Sequence, residues 1–496
     1  MNLRRYFYLG HRWLGIALAW LMLLWFVSGM VMLYVGYPKL TPAERLAHLP
    51  TLAFAEVLPP EQILAAVPER PSSLRLTTLG TQVVYVLRVG KETQVFDARQ
   101  GQLLGAPDAA RWQQVAAAWA PGEPVQALGS VQEDAWTHSR ALDPHRPLQL
   151  FAVGDDWLYL SGVTGEVVRD APAFERQWGW LGAWLHWLYP LRGGRFEGVW
   201  HDTVVYASLA GTLLTLLGVW VGISRWRRRP YANGAHTPYR EFWLRWHHLI
   251  GLASGLLILL WVFSGLMSMN PWRIFEGRKA PAAASLPALS ALPEPGQWAG
   301  CPAAADAVEV LWQSVGGHPV AVLLSARGQA QAFGPAARSG TCPEATGVPG
   351  DWLRAEAERQ GGAAPVALEI LTAHDFYYYA RGPHTMGGHQ ERPLPAVRYR
   401  FADAEENWVT LDPATGSVVH RSTRAKRWQR VLFALFHSWD WLPLLERRPL
   451  WDLAMIVGSL GGVVVSLSGL ILGWRRLQRR RRGPPTAVSP ECTTGS

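Results

Sequence analysis

Four stretches of this 496-residue chain contain no Asp, Glu, Lys or Arg: residues 13–38, 203–224, 246–272 and 453–474. Each has the roughly 20 residues needed to cross about 30 Å of hydrocarbon. Lipid offers no hydrogen-bond partner to a peptide group, so a crossing chain must satisfy its backbone internally. The four stretches therefore read as transmembrane helices, at residues 13–36, 203–224, 242–269 and 452–474. A cleavable leader is a poor reading of the first, which is too long and lacks a small-residue cleavage pattern after Tyr37. Composition agrees with a membrane protein. Hydrophobic residues make up 49% and charged ones only 17%, and the 27 tryptophans suit membrane interfaces or a flat aromatic cofactor.

Charge then orients the chain. Arg4, Arg5 and Arg12 precede the first span, Arg225 and Arg227 to Arg229 follow the second, and Arg475 and Arg476 follow the fourth. By the positive-inside rule the arm at 1–12, the loop at 225–241 and the tail at 475–496 are cytoplasmic, as are both termini. Beside span ends such runs are topological signals, and no nucleic-acid partner is expected. Two long regions, 37–175 and 270–425, lie outside, each followed by an interface helix, at 176–192 and 426–442. Val83 to Val89 and Thr93 to Phe96 flank Gly90-Lys91, and Leu148 to Val153 and Trp157 to Ser161 flank Gly154-Asp155-Asp156. Both read as hairpins. With helices at 60–67 and 111–119, the outer regions read as α+β. Cys301 and Cys342 fall in one outer region, where a disulfide is permitted, and Cys492 lies in the tail.

The halves resemble each other. His11 to Gly15 returns as His247 to Gly251, 236 residues on, and Ser28-Gly29 returns as Ser264-Gly265. At an offset of 251, Thr164 to Val168 matches Thr415 to Val419, His186 matches His437, and Gly218 matches Gly469. Two tandem copies related by an axis along the membrane normal would bring one histidine pair together near each membrane face. Zinc and copper usually want three or four ligands. Haem iron wants two, on opposite sides of a flat apolar slot. The candidate ligands are His11 with His247 and His186 with His437; His248 and His201 rank second. His247, Gly251 and Gly255 share one helix face, as do His11, Gly15 and Ala19, which leaves room for a macrocycle. Arg12 and Arg245, with Arg4 and Arg5, are placed to pair with propionates. The chain has no phosphate-binding loop, no strand-placed dinucleotide fingerprint and no C-x-x-C-H. Any haem is then non-covalent, and nucleotide or flavin must come from a partner. Polar clusters at His138 to Pro147 and His374 to Tyr379 fit either an anionic ligand or ordinary turn and strand chemistry.

These motifs, together with Leu185 to Tyr189, Phe263 to Trp272, Asp412 to Val419 and Pro449 to Asp452, resemble the PepSY-associated transmembrane proteins of Gram-negative inner membranes, over about residues 3–476. The resemblance implies PepSY-like periplasmic modules, non-covalent b-type haem, and reduction of ferric siderophore with release of iron; the two histidine pairs suggest two haems. It puts His11, His186, His247 and His437 on the family's recurrent histidines. The electron donor, cytoplasmic or membrane-bound, is left open. The expectation is a multi-pass inner-membrane oxidoreductase embedded in the lipid bilayer. The alternatives are a haem-free envelope binding or regulatory protein and a siderophore or metal permease. Nearly charge-free spans argue against a permease.

Overall fold

The computed structural model describes residues 3–481 except 193–195, 233, 278–280, 282–283, 291, 335–341, 386 and 389. Among these residues, four helices are long and apolar enough to cross a membrane. They are α1 (Leu3–Met32), α2 (Glu197–Arg225), α3 (Phe242–Ser268) and α4 (Leu450–Arg481). The flanks read from sequence as an arm at 1–12 and a tail from 475 are helical from Leu3 and up to Arg481. Arginine is a good helix former and nothing in either segment breaks the ladder. The rest of the tail lies outside the described residues. Glu241 caps α3, its carboxylate accepting from the Leu244 amide at 2.8 Å and from Arg475 of α4 at 2.7 Å. Pro271 stops α3, after Asn270 has turned left-handed at φ 48°.

Small residues set how closely the helices approach. A Cβ added at Gly255 of α3 would stand 2.9 Å from Val219 of α2. One at Gly461 of α4 would stand 3.0 Å from Ser254 of α3, and one at Gly473 3.2 Å from Ile16 of α1. With lipid as apolar as leucine, such close packing is what holds membrane helices together.

The segments read as interface helices at 176–192 and 426–442 are broken. Ala173–Gly179 passes into a wide turn at Trp180–Trp184 that is kinked at Gly182 (φ −81°, ψ −109°), and Arg424–Gln429 into the π-helix Arg430–Leu435 and then Phe436–Ser438. The chain divides at these segments into two units. One contains the four long helices with residues 185–191 and 429–449, and the other contains both long connecting regions.

The second unit is built on antiparallel sheets. β1 (Ser73–Leu79), β2 (Gln82–Val89) and β3 (Glu92–Asp97) come from the first region. β8 (Ala307–Val315), β9 (His318–Ser325) and β10 (Ala330–Phe333) come from the second. They join into one six-stranded sheet, ordered β10-β9-β8-β1-β2-β3, because β1 pairs with β8. The regions read from sequence as two separate modules thus share a sheet. Two four-stranded meanders complete the unit. One is β4 (Val125–Val131), β5 (Leu148–Val153), β6 (Asp156–Ser161) and β7 (Val167–Ala171). The other is β11 (Ala367–Leu371), β12 (Ala396–Arg400), β13 (Trp408–Leu411) and β14 (Val418–Ser422). Their registers slip at matching points, Tyr159/Leu160 and Thr410/Leu411.

Both hairpins expected from sequence form, and Gly90 and Gly154 take the left-handed φ of 59° and 55° that their tight turns require. One face of the long sheet buries Leu76, Tyr85, Trp312 and Phe333 around Trp298. Its other face packs Val84 and Val86 against Phe151 and Leu158. A charged contact crosses the sheet: Arg75 on β1 bonds Glu166 at 2.6 Å and Glu309 of β8 at 3.0 Å, and Arg45 bonds Glu309 at 2.7 Å. Burial alone would raise both carboxylates; the guanidiniums outweigh it and hold them below the usual range. Cys301 and Cys342 form a disulfide.

Candidate cofactor site in the helix bundle

The helical unit brings the four candidate histidines into two pairs, one on α1 and α3 and one on the short segments before α2 and α4. His11 of α1 faces His247 of α3 with ring centres 6.2 Å apart and planes at 45°. His186 faces His437 with ring centres again 6.2 Å apart and planes at 69°. The first pair lies toward the chain termini and the second toward the long connections. They are called here the termini-side and loop-side pairs.

Each ring rests against a glycine of a neighbouring helix. Atom Cε1 of His11 would lie 2.8 Å from a Cβ at Gly218 of α2, and that of His247 3.4 Å from one at Gly469 of α4. For the loop-side rings the seats are Gly29 of α1, 3.5 Å from His186, and Gly265 of α3, 3.6 Å from His437. A Cβ at Gly218 would force the His11 ring to shift, whereas at Gly469, Gly29 and Gly265 it would only touch the ring.

Hydrogen bonds fix the tautomers. His11 Nδ1 lies 3.2 Å from the Leu214 carbonyl, which can only accept, so this nitrogen carries the proton. His247 Nδ1 meets the Val465 carbonyl at 3.1 Å and Ser468 Oγ at 2.9 Å. His186 Nδ1 meets Ser28 Oγ at 3.0 Å. His437 Nδ1 meets Ser264 Oγ at 3.1 Å and the Trp261 carbonyl at 3.2 Å. Each serine hydroxyl spends its one proton on its own helix: Ser28 on the Leu24 carbonyl at 2.6 Å, Ser264 on Trp261 at 3.0 Å, Ser468 on Val464 at 2.7 Å. All three must accept from imidazole. The four rings are therefore Nδ1–H tautomers, and none of their Nε2 atoms has a hydrogen-bond partner among the described residues. A neutral imidazole in this state offers Nε2 as a metal ligand.

That geometry can be tested against haem. Two imidazoles on opposite sides of one metal, each bonded at about 2.0 Å, place their ring centres about 6 Å apart. Both pairs meet that spacing. Among the described residues no cluster of three or more His, Cys, Asp or Glu side chains could hold a bare metal ion, so an axial pair suits these donors better than a zinc or copper site. A Cβ at Gly251 would meet nothing within 4 Å, which leaves open space beside His247. Gly15 packs on Leu214 at 3.7 Å and Gly255 on Val219, so those two serve helix contact.

The second-choice ligands are otherwise engaged. His248 is buried with both nitrogens bonded, to Thr237 Oγ1 and the Gly222 carbonyl at 2.9 Å each. His201 bonds the Met269 carbonyl at 3.0 Å and Asp202 at 3.3 Å. Arg12 and Arg245 are exposed and form no ion pair among the described residues. The polar loop clusters fasten their own backbones. Asp375 accepts from the Tyr377 and Tyr378 amides at 2.8 Å each, and Tyr378 donates to the Pro393 carbonyl at 2.8 Å. His374 bonds the Arg392 carbonyl at 3.0 Å. The serines were missed from sequence. Ser28-Gly29 and Ser264-Gly265 mark register there, and only the packed bundle shows one residue bonding the ring and the next seating it.

A family model described as the PepSY-associated TM region matches residues 8–352, which include His11, His186 and His247. No curated protein matches the chain.

Proposed function

Since the chain belongs to the PepSY-associated TM region family, and the unit containing its membrane helices holds two matched imidazole pairs, we propose that it is a haem-binding membrane oxidoreductase. The proposed task is to carry electrons across a bacterial inner membrane to ferric siderophore in the periplasm, so that iron is released. The observation that carries this reading is the shared ring spacing of 6.2 Å in both pairs, with every Nδ1 already bonded.

Non-covalent haem b at each pair would supply one-electron carriage between the two faces. The residues of the chain do the rest. His11 and His247 present Nε2 at one face, and His186 and His437 do so at the other. Gly29, Gly218, Gly265 and Gly469 let the rings lie close to the helices. Arg12 and Arg245 would meet propionates at the cytoplasmic surface. The apolar helix faces exclude water and ions. From His11 to Gly29, 29 − 11 = 18 residues of α1 span about 27 Å, so the two sites would divide the crossing between them.

The repeated offsets in sequence, the matched glycine seats and the matched meanders support a tandem-repeat origin, and the arginines beside the span ends support cytoplasmic termini. The substrate assignment follows from chemistry: hard oxygen ligands hold iron(III) far more tightly than iron(II), so reduction loosens the chelate. The donor would be a cytoplasmic or membrane-bound reductant.

The test is the absorption spectrum of the purified protein expressed with ample haem. The expected result is a Soret band that shifts on reduction with dithionite and loses intensity in His11→Ala and in His437→Ala. A colourless protein would overturn the proposal in favour of a haem-free binding protein or a permease.

A further inference from the structure

The four rings are not supported alike. In each half a residue immediately precedes the glycine on which the termini-side ring rests. It is Ser468 before Gly469 under His247, but Leu217 before Gly218 under His11. Among the described residues His11 is therefore the one ring of the four whose Nδ1 meets no hydroxyl; its partner there is the Leu214 carbonyl, at 3.2 Å. Each of the other three donates to a serine that is itself a donor to a main-chain carbonyl. A hydroxyl polarised in this way is a better acceptor than an isolated one. An acceptor behind a metal-bound imidazole fixes its orientation and raises its basicity.

We infer that Ser28, Ser264 and Ser468 are positioning residues that strengthen electron donation by His186, His437 and His247, and that Leu217 leaves His11, in contrast to its repeat mate His247, without a hydroxyl beside its carbonyl partner. The inference rests on the haem reading above and goes beyond it by giving the serines a role. The loop-side pair is doubly reinforced and the termini-side pair is lopsided. A more basic ligand favours iron(III) over iron(II), so each serine lowers the reduction potential of its own site.

The experiment is a redox titration of the full-length haem-loaded protein followed in the visible region. The two components are assigned beforehand with His11→Ala and His437→Ala. Ser28→Ala and Ser264→Ala are each expected to shift the loop-side reduction equilibrium toward iron(II) by about three- to tenfold. Tenfold corresponds to about 59 mV for a one-electron couple. The termini-side component should stay in place. Ser468→Ala should do the same to the termini-side component alone. Leu217→Ser, which supplies the missing hydroxyl, should move that component the opposite way. Ser264→Thr keeps a hydroxyl that can bond the preceding turn and should restore the wild-type potential. If the alanine variants lose haem yet leave both potentials unmoved, the serines only pack, and the inference falls while the haem reading stands. A colourless protein would remove both.

Discussion

His11 and His247 stand inside uninterrupted helices, whereas His186 follows the wide turn Trp180–Trp184, kinked at Gly182, and His437 follows the π-helix Arg430–Leu435. Two residues after each loop-side histidine the chain turns left-handed, at Leu188 with φ 53° and at Trp439 with φ 47°. A wide π turn re-aims the side chains that follow it and recurs at functional sites. Positive φ in non-glycine residues costs about 1–3 kcal/mol and persists only where the surroundings impose it. The surroundings here are tryptophans. Trp25 donates to the His186 carbonyl at 3.0 Å, Trp200 to Trp187 at 2.7 Å and Trp451 to Ser438 at 3.0 Å. Ring spacing is equal in the two pairs, but one is fixed by secondary structure and the other by tertiary bonds. Equal ring geometry can thus rest on unequal foundations, and the foundations predict different responses to mutation.

The largest expected effect comes from removing a ring. His11→Ala and His437→Ala should each lower bound haem from about two per chain to about one, measured by pyridine haemochrome. Loss of all haem from either variant would mean that the pairs are not independent, and the comparison would collapse. Next come the seats. Alanine at Gly218 places its Cβ 2.8 Å from His11, against 3.5 Å for Gly29 and His186. Overpacking of this kind costs about 1–3 kcal/mol. Gly218→Ala should therefore release termini-side haem about tenfold faster, whereas Gly29→Ala and Gly265→Ala should stay within about twofold of wild type. Competition for released haem by an apo-globin would show it. Equal release rates would indicate that the termini-side helices yield as easily as the loop-side segments.

Legibility in the sequence divides along similar lines. Lipid demands an unbroken apolar helix, so the four spans were plain from the absence of charge. The termini-side histidines were plain from their repeat at the inner ends of the spans, although His11 reads as part of the arm at 1–12 and lies inside α1. The loop-side pair could be read only through the offset between halves, since a π turn has no local signature. Ser28, Ser264 and Ser468 were invisible as ring partners because a mid-helix serine ordinarily bonds its own preceding turn, as these three also do. In the second unit the hairpins were legible from Gly90 and Gly154. The pairing of β1 with β8 was not: Leu76 meets Val310 across 310 − 76 = 234 residues of sequence, and a strand's pattern says which face is buried, not which distant strand lies beside it.

A smaller effect should come from the tryptophan pins. Trp200→Phe and Trp451→Phe each keep an aromatic ring but lose the indole N–H bond and part of the ring's volume, at least about 1 kcal/mol. The loop-side component should bleach at lower temperature in both variants and the termini-side component should not. Heating curves recorded at two wavelengths after assignment of the components would decide it, and equal lability of both components would blur the contrast drawn above.

The smallest expected effect concerns charge beside the loop-side pair. Asp440 lies three residues after His437, 3% exposed, with Arg430 at 3.4 Å. The position 251 residues earlier is Tyr189, so this carboxyl stands on one side of the pair only. Burial raises Asp440 to about 7. Below that pH the group is neutral, and above it a negative charge sits near His437. Negative charge favours the oxidised, more positive state of a bound metal. The loop-side potential should therefore fall as pH rises from 6 to 8, by about two- to threefold in the reduction equilibrium if screening is moderate. The termini-side potential should stay flat over the same range. Asp440→Asn should remove the slope and leave the potential near its low-pH value. A slope that survives Asp440→Asn, or that appears equally at the termini-side pair, would assign the proton to another group and leave serine support and backbone foundation as the differences between the two sites.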